Sequence, residues 1–385
     1  MYATILNTRS HGQEALERQI DEVAKDLPPW IVMYGVDDLP LAAVMDLIRA
    51  RSPRTQVLGA TSFQGVFTAK GFVRETCLLV GERADGVELS VSMQTVGASA
   101  ARESAEASCR DIARELGARP TMLLLHATPG FEERILEGVK AAFGATVPVF
   151  GGSAADDSLT GRWRVHANGA SSQEGFLLAG LSSPRDVRGG FMGGFLPTEH
   201  TGTITKVDGR VVHEIDGRPA AEVYDAWTGG AIAAELGRGG NVLSKTNMRP
   251  LSRCVGSALG MPRRILSHPH EVVAGTNALT FFTEFSRSDR LTLMTSTSDP
   301  LVTRVRRAVE RARGSQTVQP RGGLLVYCGG SLSAMLDKAD TICREFEHAT
   351  GGAPFLGIAT FGEQGAFFAG AGSWHGNLMC SAVLF

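Results

Sequence analysis

A strand–helix–strand pattern occurs three times along the chain, and each copy ends in a glycine loop. The first copy opens on the apolar run IVMYGV (31–36), continues through Leu41, Val44, Met45 and Ile48, and ends in QVLGATSFQG (56–65). The second has TMLLLHA (121–127), then Phe131, Ile135, Val139 and Phe143, then PVFGGSAADD (148–157). The third has GLLVYCG (323–329), a stripe of Leu332, Met335, Leu336, Ala339, Ile342, Cys343 and Phe346, and PFLGIATFGEQG (354–365). Apolar residues at i, i+3, i+4 and i+7 give each helix one face to bury. The short, continuously apolar strands suit sheets covered on both sides. Each second strand closes on two apolar residues, a glycine, any residue and a small residue. A further strand-like run follows each loop: TCLLVGE, GFLLAGL and LMCSAVLF. The pattern predicts an α/β fold of two related domains with mixed β-sheets covered by helices, the first carrying two copies and the second one. The expected divisions are an N-terminal helix within 1–26, a domain over 27–218 and a domain over 219–385.

The stretch between the second and third copies reads differently. Two short strands flank a turn at Asp208-Gly209, and a helix starts near Pro219, a residue suited to a first helical turn. Five glycines between Thr228 and Asn247 predict an exposed loop or lid, and 272–298 reads as a hairpin. A helix over Leu301–Arg313 turns Val302, Val305, Val309 and Ala312 inward and its five arginines to solvent. With 43% hydrophobic and 20% charged residues the chain has the composition of a folded protein. Its 38 basic and 40 acidic side chains argue against a nucleic-acid binder driven by bulk charge. No apolar run approaches the roughly 18 residues of a membrane span, and residues 1–30 lack the apolar core of a signal peptide. The six cysteines are scattered without a C-x-x-C pair, which favours reduced thiols in a cytoplasm over zinc or dithiol chemistry.

At the glycine loops, VLGATSFQG, VFGGSAADD and PFLGIATFGEQG…SWHGNLMCSAVL together resemble the FIST sensory domain, in its N-terminal and C-terminal halves. VHEIDGRPAAEVYDAW and RRILSHPHEVV followed by ALTFF are similar to the join and middle of that family, so the resemblance runs from Trp30 to Phe385. It implies a bacterial signal-transduction sensor that binds a small ligand such as an amino acid and acts through a kinase, cyclase or chemoreceptor. One branch of the family binds haem and senses nitric oxide. Its cysteine-containing acidic and arginine-bearing run corresponds to VYCGGSLSAML here, where Cys328 matches and the flanking charges do not.

The candidate ligand residues gather at the loops. Gly59, Gly151 and Gly357 hold the same place in the three copies, and the pair Gly151-Gly152 lets backbone amides approach an anion closely. Ser153 adds a hydroxyl, while Asp156 and Asp157 suit an ammonium group; as an alternative, both aspartates form a turn or helix cap. Thr61, Ser62 and Thr360 are small polar loop residues at the sheet end where open α/β folds bind ligands. If 366–372 is a hairpin, Glu363 returns beside His375 and Asn377, either as a ligand site or as a tie for the last strand. His268 and His270 have metal-ligand spacing, but Pro269 argues for an edge or loop and no third ligand is evident. A haem would draw on His375, His126, His166, His268 or His270, or on a tyrosine or cysteine. Phosphate-loop, dinucleotide and H-E-x-x-H signatures are absent, and the remaining catalytic alternative is a hydrolase using Cys328 and His375. The sequence reads as a non-enzymatic sensor without a required cofactor, in which a polar ligand shifts the balance between domain orientations.

Overall fold

The computed structural model describes residues 1–9, 12–183, 187–258, 260–316, 318–368 and 370–385. Each copy of the repeated unit forms the centre of its own six-stranded sheet. Trp30–Gly35 runs parallel to Gln56–Thr61, with Met33 opposite Gly59, and Thr76–Val80 returns antiparallel alongside. Met122–Ala127, Val149–Gly152 and Phe176–Ser182 repeat this arrangement, with Leu125 opposite Gly151. Gly323–Cys328, Phe355–Thr360 and Cys380–Leu384 repeat it again, with Leu325 opposite Gly357. The first two stripes are buried as one helix each, Leu41–Arg51 and Glu132–Phe143. The third stripe is interrupted. Met335 has non-helical backbone angles, so a short helix Gly329–Ser333 and a 3₁₀ turn Leu336–Lys338 precede the main helix Ala339–Thr350, and Leu336 is exposed.

On its other edge, each glycine strand receives a hairpin that belongs to a different copy. The hairpin after the first copy, Val66–Thr68 with Gly71–Val73, pairs with Phe355–Thr360 of the third. The hairpin after the second, Val165–Ala167 with Ala170–Ser172, pairs with Gln56–Thr61 of the first. The hairpin after the third, Glu363–Gly365 with Trp374–Gly376, pairs with Val149–Gly152 of the second. The exchange is a closed cycle, and it draws the three glycine loops together. Three equivalent backbone bonds complete the junction: Ala155 N–H to the Thr61 carbonyl at 2.9 Å, Phe361 N–H to Ser153 at 3.1 Å and Phe63 N–H to Ala359 at 3.0 Å. The glycines are needed for close approach of neighbouring strands. A Cβ on Gly59 would lie 1.8 Å from the Met33 carbonyl oxygen, and one on Gly151 would lie 1.8 Å from that of Leu125.

Residues 196–295 build a nine-stranded sheet with a separate core that includes Ile204, Val212, Tyr224, Phe281 and Phe285. Its first two strands, Leu196–Asp208 and Val211–Ile215, meet at the expected turn, and helix Ala220–Thr228 follows Pro219. The hairpin expected over 272–298 does not form: Leu279–Phe281 pairs with Pro269–Val272, whereas Arg290–Thr295 pairs with Leu196–Asp208 and Leu251–Ala258. Part of the expected lid is ordered by strand Gly240–Asn241 and the helical turn Leu243–Thr246.

At the N-terminus a strand, Tyr2–Leu6, precedes the helix Gln13–Ala24, and of the segment 1–26 expected to hold the helix, Ser10 and His11 lie outside the described residues. Helix Ser298–Arg313 buries its apolar face as expected, with one correction. Arg304 is fully enclosed, its Nη1 donating to the carbonyls of Gly193 at 2.7 Å and Leu378 at 2.6 Å, and its guanidinium lies 4.4 Å from the Tyr327 ring centre. Among the described residues, no helix is long and apolar enough to cross a membrane.

Candidate functional site

The cyclic exchange brings the predicted loop residues to the middle of the molecule and turns their polar groups on one another. Thr61 Oγ1 accepts from Arg164 N–H at 2.9 Å. Ser62 Oγ accepts from Ala359 N–H at 2.9 Å and donates to the Gly65 carbonyl, standing in for a direct bond between a glycine strand and its received hairpin. A Cβ on Gly152 would lie 2.5 Å from Thr360 Cγ2. Asp156 accepts from the N–H groups of Thr160 at 3.0 Å and Arg162 at 2.9 Å, which is the turn-capping arrangement. Asp157 accepts from Gln64 N–H at 2.6 Å and pairs with Arg74 at 2.7 Å. Asn377 ties the last hairpin to the nine-stranded sheet, donating its N–H to the Leu266 carbonyl at 2.9 Å.

The 363–376 hairpin forms as expected, with Ala369 outside the described residues, but Glu363 and His375 take different partners. The register sets His375 opposite Gln364 and Glu363 opposite Gly376, and successive side chains of a strand point to opposite faces. Glu363 turns into the third sheet, accepting from Thr360 Oγ1 and from Met379 N–H, each at 2.9 Å. Complete burial pushes its carboxyl up to about 8, against the hydrogen bonds from Met379 and Thr360. Cys328 lies beside it, its sulfur accepting from Leu378 N–H at 3.2 Å, and burial pushes its thiol up to about 12. A neutral, enclosed thiol is a poor nucleophile, and the Cys328–His375 arrangement of a hydrolase does not assemble.

The carboxylate beside His375 is Glu132, at 3.9 Å, which the loop motifs do not point to. Gln364 Nε2 lies 3.0 Å from His375 Nδ1, and His375 Nε2–H donates to the Phe282 carbonyl at 3.1 Å. Glu132 accepts from Ser153 Oγ at 2.7 Å, from Gly130 N–H at 3.0 Å and from Arg210 at 2.7 Å. Its neighbour Glu133 accepts from the same guanidinium at 2.6 Å and from Glu284 N–H at 2.8 Å. Burial alone would raise the Glu132 carboxyl, but His375 and Arg210 outweigh it and bring it down to about 2. Both acids occupy the first turn of helix Glu132–Phe143, where the helix dipole also favours negative charge. The sequence does carry a signal for Glu132: it shares the buried stripe of Ile135 and Val139 at i+3 and i+7. Arg210 has no such local signal, because its partners are about 80 residues away in the chain.

A cavity of about 520 Å³ opens beside this cluster. Glu133, Glu137 and Lys140 of the helix line one wall, and Arg253, Glu284 and Asp289 of the nine-stranded module line the other. His375 is the one predicted ligand residue in its wall. Arg253 is half-buried over the Phe285 ring at 5.1 Å and faces Asp289 at 3.6 Å, with desolvation lowering its pKa. A second cavity of about 540 Å³, near Arg313 and Arg321, contains none of the predicted residues.

Metal and haem chemistry find poor hosts among these groups. Among the described residues, the grouping with metal-ligand proximity is Glu132, Glu133 and His375. All four of its carboxylate oxygens already accept hydrogen bonds, and Arg210 holds the place of the cation. His268 and His270 face different partners, the Leu243 carbonyl and Phe282 respectively, and do not form a metal pair. Cys328, on which the similarity to the haem-binding branch depends, is enclosed within the sheet and bonded to Leu378. His126 is held between Tyr34 and the Gly152 carbonyl, each at 2.9 Å. Enclosed and engaged in this way, Cys328, His126 and His375 do not fit a haem.

Comparison with known families supplies the frame for this geometry. Residues 30–218 match the family model of the FIST N domain, and residues 220–366 match that of the FIST C domain. No curated protein matches the chain. With the two matches in family order covering most of the repeated units and the nine-stranded module, the chain belongs to the FIST family, whose domains are sensory modules of signal transduction.

Proposed function

We propose that this protein is a cytoplasmic bacterial receptor that binds a small polar, amino-acid-like molecule in the cavity beside His375. Occupancy is passed to a separate output protein such as a kinase, cyclase or chemoreceptor. The observation that carries the reading is the origin of the cavity walls. Glu133, Glu137 and Lys140 lie in the segment matching the FIST N domain, whereas Arg253, Glu284 and Asp289 lie in the segment matching the FIST C domain. A ligand touching both walls has different contacts in open and closed arrangements, which is the requirement for a population shift. The volume falls within the roughly 300–1,000 Å³ of small-molecule sites, and charges of both signs suit a zwitterion. The glycine loops then serve as the rigid frame behind the site, reached through His375, Gln364 and Ser153.

The reading assigns no catalytic step to these residues. Native mass spectrometry of the purified chain with the twenty amino acids tests it. A stoichiometric adduct that is lost in Arg253→Ala and Glu284→Gln is expected. An adduct retained equally by both folded variants, or no adduct with any amino acid, overturns it.

A further inference from the structure

The inner end of the cavity is closed by a charged contact between the nine-stranded module and helix Glu132–Phe143. Arg210, just after the Asp208-Gly209 turn of the nine-stranded module, donates through one nitrogen to both Glu132 and Glu133. The 281–285 segment of the same module reaches across beside it. There, Glu284 N–H donates to Glu133, and the Phe282 carbonyl accepts from His375. Turn and segment move as one piece, because Phe281 N–H donates to the Arg210 carbonyl at 2.9 Å and Phe285 N–H to that of Gly209 at 3.0 Å. Phe281 and Phe285 belong to the core of the nine-stranded module, whereas Ile135 and Val139 of the opposing helix belong to another. At this contact the module and the helix therefore meet through polar and charged groups, which permit local motion, while Ile265, Leu266 and Met294 anchor the module in the main core elsewhere.

Glu133 has two roles in this geometry. It lines the cavity, and it is one of the two carboxylates that hold Arg210. A cation in the cavity meets the carboxylate that holds the module in place. The lining sets Glu133, Glu137, Glu284 and Asp289 against Lys140 and Arg253, an acidic balance that favours a positive charge arriving there. Glu132 is different: fully buried and bonded to Ser153, it keeps its hold on Arg210 when Glu133 is taken.

We propose that Glu132, Glu133 and Arg210 form a clasp, which a cationic group entering the cavity loosens by replacing Arg210 on Glu133, so that the turn before strand Val211–Ile215 and the 281–289 segment are held to helix Glu132–Phe143 through Glu132 alone. The proposal rests on the receptor reading above and names how that site is read out. Two carboxylates sharing one guanidinium make the exchange graded, since loss of one contact leaves the other in place.

Hydrogen exchange of the full chain, followed by mass spectrometry, tests the clasp in the wild type, in Arg210→Ala and in the milder Glu133→Gln. Ethylammonium chloride serves as the cationic probe against sodium chloride at equal ionic strength. Peptides over 208–215 and 281–289 are expected to exchange about tenfold faster or more in Arg210→Ala and a few-fold faster in Glu133→Gln, with unchanged protection over 122–127 and 323–328 reporting an intact fold. Ethylammonium is expected to speed the same peptides in the wild type and to add nothing in Glu133→Gln. Unchanged exchange in a folded variant overturns the clasp. Faster exchange in the variants with no response to ethylammonium overturns its opening by a cation. Failure of amino-acid binding with both responses intact falls on the receptor reading alone.

Discussion

Two buried glutamates show how environment divides one side-chain chemistry into opposite behaviours. Glu132 sits against Arg210 and His375 and stays ionised to about 2, whereas Glu363 sits among neutral donors and is pushed to about 8. For Glu363 the folded pKa lies above the reference value of 4.5, so the protonated form is favoured in the folded chain. Its contribution to stability is full below pH 4.5 and is lost as pH rises through about 8. Urea unfolding at pH 5, 7 and 9 should therefore show a loss of stability toward pH 9 that Glu363→Gln diminishes by a few kcal/mol, at ~1.4 kcal/mol per pKa unit. Parallel pH profiles for the two proteins would refute this account. Glu132 works in the other direction: its stabilising contribution is present above pH 4.5 and is lost as pH falls toward about 2. The glycines act at this scale too. Gly59 and Gly151 are fixed by the neighbouring strand's carbonyl, so part of the glycine excess is a condition of sheet packing.

At the scale of elements, what is written locally was legible and what is completed elsewhere in the chain was not. The helix stripes around Val44, Ile135 and Ile342 are visible because an apolar face repeats over three turns of contiguous sequence. The exchanged hairpins have strands such as Val66–Thr68 and Val165–Ala167, too short for a period-2 pattern to declare itself, and their partners lie in another copy. Residue type alone assigns Arg304 to solvent, although its spacing from Leu301 and Ala308 places it on the buried stripe. The candidate site divides in the same way: His375 was visible beside its glycine motif, but Arg210 and Glu284 enter only through tertiary contact. Ser62 is the joint of one exchanged hairpin, since its hydroxyl links Ala359 N–H to the Gly65 carbonyl inside the protein. Ser62→Ala leaves both groups unpaired and buried, at a cost of about 2–4 kcal/mol. Denaturant titration measures it, and a change below about 0.5 kcal/mol would show that the loop closes without the hydroxyl.

For the whole molecule, the cyclic exchange couples the two family segments more tightly than a boundary near residue 218 suggests. The second copy's glycine strand, Val149–Gly152, depends on the hairpin from 363–376, and the third copy's strand, Phe355–Thr360, depends on the hairpin from 66–73. Arg188–Met192 also crosses, pairing with Cys380–Leu384. Cutting the chain at 218 leaves the first segment with an unpaired edge at Val149–Gly152 and an orphaned hairpin, deprives the third copy's sheet of two neighbours, and removes Leu196–Asp208 and Val211–Ile215 from the nine-stranded sheet. Exposed edges of this kind promote association with other chains. The two segments expressed separately should therefore aggregate or show poorly dispersed amide spectra, whereas co-expression should restore a stoichiometric, cooperatively unfolding complex. A monodisperse 1–218 segment with a dispersed spectrum and a single sharp unfolding transition would mean that the exchanged hairpins decorate domains already complete. The expected interdependence suits a sensor, because a change at the wall between the segments cannot be absorbed by one of them alone.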